Sequence, residues 1–171
     1  SVVEVKVQLP MQKINMFPNA KKLFIENATT ANNQVLSDVM KKVTDLSLKF
    51  GNCEGILMEN ITKMSFMNVG DIAAQFFVQH NKITDLTLRN IFHLDDNLLQ
   101  AIVENLGAHL IILRIFGINQ LSPNALNIIK DNCKQLRILD MATWSQQFKN
   151  EEWRCLYDIN GLAIYYEKFD F

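Results

Sequence analysis

The chain has 171 residues, of which 49% are hydrophobic and 20% are charged, and its net charge at pH 7 is −1. This composition predicts one globular domain with a filled apolar core and excludes an intrinsically disordered chain. The nearly neutral charge argues against nucleic acid as the main ligand, because phosphate binding requires a basic patch. No window approaches the roughly 20 apolar residues of a membrane helix, so no membrane partner is expected.

The three cysteines, Cys53, Cys133 and Cys155, are widely spaced. An odd number at such spacing does not match a disulfide framework or a zinc site, so we expect reduced thiols and an intracellular protein of the cytoplasm or nucleus. N-x-S/T sequons at Asn27 and Asn60 decide nothing, because Asn is abundant throughout the chain. The sequence shows no signal peptide and begins with serine, which leaves room for a missing N-terminal segment.

Short strands with alternating apolar residues are predicted along the whole chain. The first covers Val2 to Gln8 and ends before Pro10. Each later strand carries a pair of apolar residues two positions apart, and alternation turns such a pair toward the core. The pairs are Leu23 and Ile25, Leu46 and Leu48, Met64 and Phe66, Leu86 and Leu88, Leu113 and Ile115, and Leu139 and Met141.

Helix-like runs separate these strands, at about 33–41, 71–78, 97–106 and 124–130. Only a turn or one short helix is expected over 54–59, because the two flanking strands are close in sequence. Asp95 or Asp96 is predicted to cap the helix that follows it. Ser122 and Pro123 are predicted to be the cap and first residue of the next helix, and Gly107 a helix stop.

The spacing of the strands predicts the architecture. Leu86, Leu113 and Leu139 follow one another at intervals of 27 and 26 residues. A strand, a turn and a helix repeated at that period are typical of a leucine-rich-repeat solenoid. We therefore predict an α/β fold, a right-handed leucine-rich-repeat solenoid of about six or seven coils with a parallel β-sheet on its concave face. The solenoid should cover 1–142, most clearly 83–142.

The tail, 143–171, breaks the period and contains both tryptophans, Trp144 and Trp153. The last coil of a solenoid must cover its exposed core. We therefore predict that the tail is a C-terminal cap of the same domain, with one more strand near Leu162 to Tyr166.

Two segments carry a family resemblance. Leu94-Asp95-Asp96-Asn97-Leu98-Leu99-Gln100-Ala101-Ile102 and Cys133-Lys134-Gln135-Leu136-Arg137-Ile138-Leu139 resemble the cysteine-containing repeats of F-box leucine-rich-repeat proteins, within the ribonuclease-inhibitor-like class. Cys133, three residues before Leu136, matches the cysteine that names these repeats. The preceding unit carries Ala108-His109 around the equivalent place.

The resemblance implies a protein–protein interaction module, the substrate-recognition domain of an F-box (SCF-type) ubiquitin ligase subunit. Its partners would be a target protein and, through an F-box that is not seen in this sequence, Skp1 and a cullin. The alternative is an intracellular scaffold or complex-assembly factor with no ligase link. A third hypothesis, an extracellular recognition domain, uses the two sequons and is opposed by the odd number of cysteines.

The residues that flank the apolar pairs are expected on the concave face. Protein interfaces are enriched in aromatic, Met and Arg residues. The predicted partner-binding residues are Lys49, Met67, Arg89, Arg114, Phe116 and Asp140. Arg89, Arg114 and Phe116 should be neighbours on adjacent strands. The alternative is that all six are ordinary solvated residues of an exposed sheet.

Nothing in the sequence predicts an enzyme. His80, His93 and His109 lack metal-ligand spacing, so no metal site is predicted. Helix capping explains Asp95 and Asp96 better than acid–base catalysis does. The chain has neither a G-x-S-x-G motif nor a Gly-rich phosphate loop, so no catalytic residue and no cofactor are predicted.

Overall fold

The fold is seen in a computed structural model, which describes residues 4–8, 19–28, 42–51, 59–70, 72–118, 120–141, 153–157 and 163–168. These residues form nine strands and three helices of an α/β fold. The strands are β1 (Glu4–Gln8), β2 (Lys22–Ala28), β3 (Asp45–Gly51), β4 (Lys63–Met67), β5 (Asp85–Arg89), β6 (Ile112–Phe116), β7 (Ile138–Met141), β8 (Trp153–Tyr157) and β9 (Ala163–Lys168). The helices are α1 (Ala74–Gln79), α2 (Asp96–Leu106) and α3 (Ala125–Asn132).

All nine strands belong to one sheet, in the order β1-β2-β3-β4-β5-β6-β7-β9-β8. From β1 to β7 each strand pairs in parallel with the next one along the chain. The parallel sheet predicted from the sequence is therefore confirmed. Two antiparallel strands continue it, since β9 pairs with β7 and β8 pairs with β9. The strand predicted near Leu162 to Tyr166 corresponds to β9.

The apolar pairs stand opposite one another across the sheet from β2 to β7. Leu86, for example, lies between Met64 of β4 and Leu113 of β6. All twelve side chains of these pairs are at most 5% exposed, as the alternation predicted. They form one continuous core with the buried sides of the helices.

The middle helix, α2, shows how the helices attach to this core. Its buried side chains are Leu99, Ile102, Val103 and Leu106. Asp95 caps it, because a carboxylate oxygen accepts the Leu98 N–H at 2.8 Å.

The second acid of the pair, Asp96, reaches the following unit instead. Its carboxylate accepts the Ser122 N–H at 2.9 Å and also the Ser122 hydroxyl. The prediction that Ser122 caps α3 with Pro123 in its first position is wrong, because α3 begins at Ala125 and its N-cap is Asn124. Ser122 forms the preceding turn, in which its carbonyl accepts the Ala125 N–H at 3.0 Å.

Aromatic packing holds the short helix α1, whose N-cap makes no side-chain hydrogen bond. Phe66 of β4 meets Phe76 and Phe77 edge to face, with ring centroids 5.5 and 5.9 Å apart. Phe76 and Phe77 meet each other in the same way at 5.4 Å. Such pairs stabilise the fold by about 0.5–1.5 kcal/mol each, beyond the contribution from burial of the rings.

The predicted helix at 33–41, the turn at 54–59 and Trp144 lie outside the described residues.

Gly107 ends α2, as predicted, but its role is steric. Its N–H donates to the Val103 carbonyl at 2.7 Å, and its φ of −57° is one that any residue adopts. A Cβ at this position would lie against the carbonyl oxygens of Asn132 in α3 and of Val103, closer than real Cβ atoms approach other atoms. The glycine therefore permits the close approach of α2 and α3.

Truncation of a core residue should weaken the fold far more than truncation of its exposed neighbour. Leu113→Ala removes a fully buried side chain and should lower the free energy of unfolding by about 2–5 kcal/mol. Ile111→Ala, where the residue is 37% exposed, should lower it by less than about 1 kcal/mol. Urea denaturation followed by circular dichroism measures both values. Equal losses would contradict the described register.

Gly107→Ala should destabilise the chain by about 1–3 kcal/mol, because backbone rather than a movable side chain meets the new methyl group. Gly70→Ala is the matched control, since nothing lies within 4 Å of a Cβ at Gly70. The control should change the melting temperature little or raise it slightly. A neutral Gly107→Ala would mean that α2 and α3 are further apart than described.

Candidate interaction surface

The sheet has an open face, formed from β2 to β7 by the side chains that alternate with the buried pairs. The pairing register arranges these side chains in three rows that cross the strands. The amino row is Lys22, Asp45, Lys63, Asp85, Ile112 and Ile138. The middle row is Phe24, Ser47, Ser65, Thr87, Arg114 and Asp140. The carboxyl row is Glu26, Lys49, Met67, Arg89 and Phe116.

The amino row is a ladder of alternating charges. Lys22 pairs with Asp45 at 3.5 Å. Asp85 forms ion pairs with both Lys63, at 3.9 Å, and Arg114 of the middle row, at 2.7 Å. Exposed pairs of this kind contribute only about 0–1 kcal/mol each. Their effect is to neutralise the row and to hold the Arg114 guanidinium beside Asp85.

Asp140, at the end of the middle row, is only 8% exposed. Its Oδ1 atom is buried and has no hydrogen-bond partner. Burial raises the pKa of this carboxyl group, and the charge of Arg114 on the neighbouring strand partly opposes that rise. Asp140 is thus less accessible to a partner than a sheet-face position suggests.

The carboxyl row is mixed in chemistry. Lys49 forms an ion pair with Glu26 at 2.9 Å, and its ammonium also lies 4.9 Å from the centre of the Phe50 ring. Arg89 is exposed and stands between Met67 on β4 and Phe116 on β6. Among the described residues none forms an ion pair or hydrogen bond with the Arg89 side chain.

One residue beyond the carboxyl row, the backbone turns with positive φ in five successive units. These residues are Asn27, Phe50, Asn68, Asn90 and Gly117, with φ values of 60°, 52°, 53°, 52° and 65°. Asn and Gly tolerate this conformation, whereas a bulky residue such as Phe rarely adopts it. We call this set the turn row.

Hydrogen bonds tie the turn row to the sheet. The Asn68 N–H donates to the Arg89 carbonyl and the Asn90 N–H to the Phe116 carbonyl, both at 2.9 Å. The Asn90 side-chain amide also donates to the Asn68 side-chain oxygen at 2.9 Å. The hydrogen bonding between neighbouring strands therefore continues for one residue beyond the carboxyl row.

A cleft of about 370 Å³ opens along the turn row. Its lining consists of Asn68, Asn90, Ile91, Phe92, Gly117 and Gln120. Phe92 is 63% exposed, although it is a large apolar residue. A Cβ at Gly117 would collide with the Asn90 side-chain oxygen, so the absence of a side chain there gives Asn90 its place.

The structure brings together four of the six predicted binding residues. Lys49, Met67, Arg89 and Phe116 lie side by side in the carboxyl row. Arg114 and Asp140 are adjacent in the middle row.

The residues of the turn row and the cleft did not emerge from the sequence as candidates. The signal that could have identified them is an Asn two positions after the apolar pair in three of the units, as in Asn68 and Asn90.

The position of Cys133 recurs in the two preceding units, because each helix ends three residues before the next apolar stretch. Its structural equivalents are Gly107 and His80, which end α2 and α1. The sequence had suggested Ala108-His109 as the equivalent in the preceding unit, and the structure places it one residue earlier. Burial raises the pKa of the Cys133 thiol to about 12. A thiol that remains protonated is a poor nucleophile and a poor metal ligand.

His80 packs tightly at the end of α1. Its ring stacks on Phe76 with centroids 4.0 Å apart, and its Nδ1 lies 2.7 Å from the Phe76 carbonyl oxygen. Burial lowers the pKa of His80, and the hydrogen bond to Phe76 opposes this shift to a smaller degree.

In the part of the chain that the structure describes, no three His, Cys, Asp or Glu side chains come together as metal ligands. None of the described helices has the length and apolar character needed to cross a membrane. Comparisons of the chain with family models, with curated proteins and with solved structures found no match.

His80 should make the fold sensitive to mild acid. Its pKa in the folded chain lies below the ordinary 6.5, so below pH 6.5 the unfolded chain binds protons that the folded chain does not. The stability is therefore fully present above pH 6.5 and decreases as the pH falls below it. One such group contributes a slope of up to about 1.4 kcal/mol per pH unit.

Urea denaturation from pH 7.5 to pH 5 should show this decrease in the wild-type chain, and His80→Gln should flatten it. His109→Gln is the control, because His109 is exposed. The control should follow the wild-type curve. Equal pH dependence in all three chains would show that His80 is not the responsible group.

Proposed function

We propose that the chain is a leucine-rich-repeat solenoid of the cysteine-containing class. Seven parallel strands in chain order support the proposal, together with apolar pairs that stay in register from β2 to β7. The helices between β4 and β7 pack on the same side as the pairs. Each parallel strand would belong to one coil, which gives six or seven coils with the open face as the concave side. The coil should be right-handed, as parallel crossovers almost always are.

Its function, in this proposal, is to bind another protein through the open face. The carboxyl row carries the proposal, since it places Met67, Arg89 and Phe116 on three adjacent strands. Aromatic, Met and Arg residues are the ones that protein interfaces favour. The proposed action is binding alone, with no catalysis and no cofactor.

The narrower proposal is target recognition for an F-box ubiquitin ligase, with Skp1 and a cullin bound through an upstream F-box. Cys133 supports it as a buried helix-ending residue at the position that defines these repeats. The second candidate is a scaffold or assembly factor without a ligase link. Gly107 and His80 favour that candidate, because they replace the cysteine in the two preceding units. Buried Cys133, a free thiol, supports an intracellular location for either.

Affinity purification of the full-length protein from its native cells, followed by mass spectrometry, tests both candidates. Recovery of Skp1 and a cullin with one further specific protein is the result that the ligase proposal predicts. A stable complex without them would support the scaffold. Recovery of no specific protein would contradict protein binding altogether.

Two variants should show which face is used. Ser65→Lys places a long cation at the centre of the open face and should lose the bound protein. Gln75→Lys makes the same change of charge on the exposed side of α1 and should retain it. If Gln75→Lys loses the bound protein and Ser65→Lys retains it, the interface lies on the helices and not on the open face.

A further inference from the structure

Four of the five cations on the open face form ion pairs with described residues, and Arg89 does not. From β2 to β7 the face carries five cationic side chains and four carboxyl groups. The cations are Lys22, Lys49, Lys63, Arg89 and Arg114, and the carboxyl groups are those of Glu26, Asp45, Asp85 and Asp140. Lys22 and Lys49 each pair with a carboxylate of their own, Lys63 and Arg114 share Asp85, and Asp140 forms no ion pair with a described residue. Arg89 is therefore the cation of this face whose charge no described carboxylate neutralises.

The neighbours of Arg89 make it a strong anchor for an anion. Met67 and Phe116 flank it on adjacent strands and bring no competing charge. A partner that covers these apolar groups would remove water from the guanidinium and strengthen its attraction for a negative group. The planar guanidinium binds a carboxylate through two parallel hydrogen bonds.

The cleft lies immediately beyond this anchor. Asn90 follows Arg89 along the chain, and Gly117 follows Phe116. Ile91 and Phe92 give the cleft an apolar part, whereas Asn68, Asn90 and Gln120 give it amide groups. These amides suit the backbone of an extended peptide, and the exposed Phe92 ring suits an apolar side chain.

We propose that Arg89 and this cleft together form a docking site for an extended acidic peptide segment of a partner protein. This proposal rests on the protein-binding function proposed above. The partner's Asp or Glu carboxylate binds the Arg89 guanidinium. A Leu or Phe close to that acid in the partner sequence enters the cleft and packs on Phe92. The amides of Asn68 and Asn90 bind its backbone.

The probe is a synthetic array of ten-residue peptides in which one Glu and one Leu or Phe occur at every spacing. Two matched arrays replace the Glu with Gln or with Lys. Binding of the purified chain is measured on the arrays, and the tightest peptides are then measured in solution by fluorescence anisotropy. The Glu peptides should bind roughly tenfold or more tightly than their Gln counterparts, as expected for loss of a charge-assisted hydrogen bond.

Three variants test the two halves of the site. Arg89→Glu should lower the affinity for the Glu peptides by roughly tenfold or more and should raise the affinity for the Lys peptides. Phe92→Ala should weaken all Glu peptides. Gly117→Asn should also weaken them, because its Cβ would collide with the Asn90 side-chain oxygen and displace an amide that lines the cleft. Arg137→Glu is the matched control and should bind as the wild type does, since Arg137 is exposed and lies just before the amino end of β7, whereas Arg89 lies at the carboxyl end of β5.

Each outcome decides the proposal, provided that circular dichroism shows each variant to be folded. Equal binding of Glu and Gln peptides, unchanged binding by Arg89→Glu, or no peptide binding at all overturns it. Purification from cells with the Arg89→Glu chain separates this failure from that of the broader function. If the same specific proteins are recovered with wild-type and Arg89→Glu chains, protein binding stands and the Arg89 site is wrong. If no specific protein is recovered with either, protein binding is wrong as well.

Discussion

The in-register stacking of the apolar pairs is the constraint on which the rest of the structure depends. Side chains of a strand alternate between its two faces, so a slip of one residue would exchange every buried residue with an exposed one. In β5 such a slip would bury Asp85 and Arg89 in place of Leu86 and Leu88, which are fully buried. Burial of unpaired charges costs far more than an apolar pair gains. The three rows of the open face are therefore a consequence of what the core requires.

On the helical side of the sheet, a different residue ends the helix in each unit. The position that ends each helix holds His80, then Gly107, then Cys133, and all three are buried. His80 stacks on an aromatic ring, Gly107 allows two helices to approach, and Cys133 fills space as a neutral thiol. What the repeats share is thus a small or well-packed group at the helix end. The identity of that group varies with the neighbouring helix.

The strands and their buried residues could be predicted because alternation is a local pattern that recurs in every unit. The cap at Asp95 could be predicted for the same reason, because a helix cap depends on residues that are close in the sequence. The start of α3 was missed because the Ser122 hydroxyl donates to Asp96, a residue 26 positions earlier in the sequence, and the N–H that it accepts is that of Asn124, before the helix begins. The cleft was missed for the same kind of reason. It depends on Gly117 leaving room for Asn90 on the neighbouring strand, and on positive φ values that only the folded backbone reveals. The burial of Asp140 likewise depends on its surroundings in the fold rather than on the alternation of β7.

The register between β5 and β6 is the feature that most directly tests this account, because it places Arg89 beside Phe116 on the open face. Nuclear Overhauser effects in a solution NMR spectrum report this register. A strong effect between the amide proton of Asn90 and the α protons of Gly117 is predicted, since the Asn90 N–H donates to the Phe116 carbonyl at 2.9 Å and the α carbon of Gly117 lies on the same side of that peptide bond as the carbonyl oxygen. If the Asn90 amide proton instead meets the α proton of Phe116 or Ile118, the register is shifted and the open face does not exist.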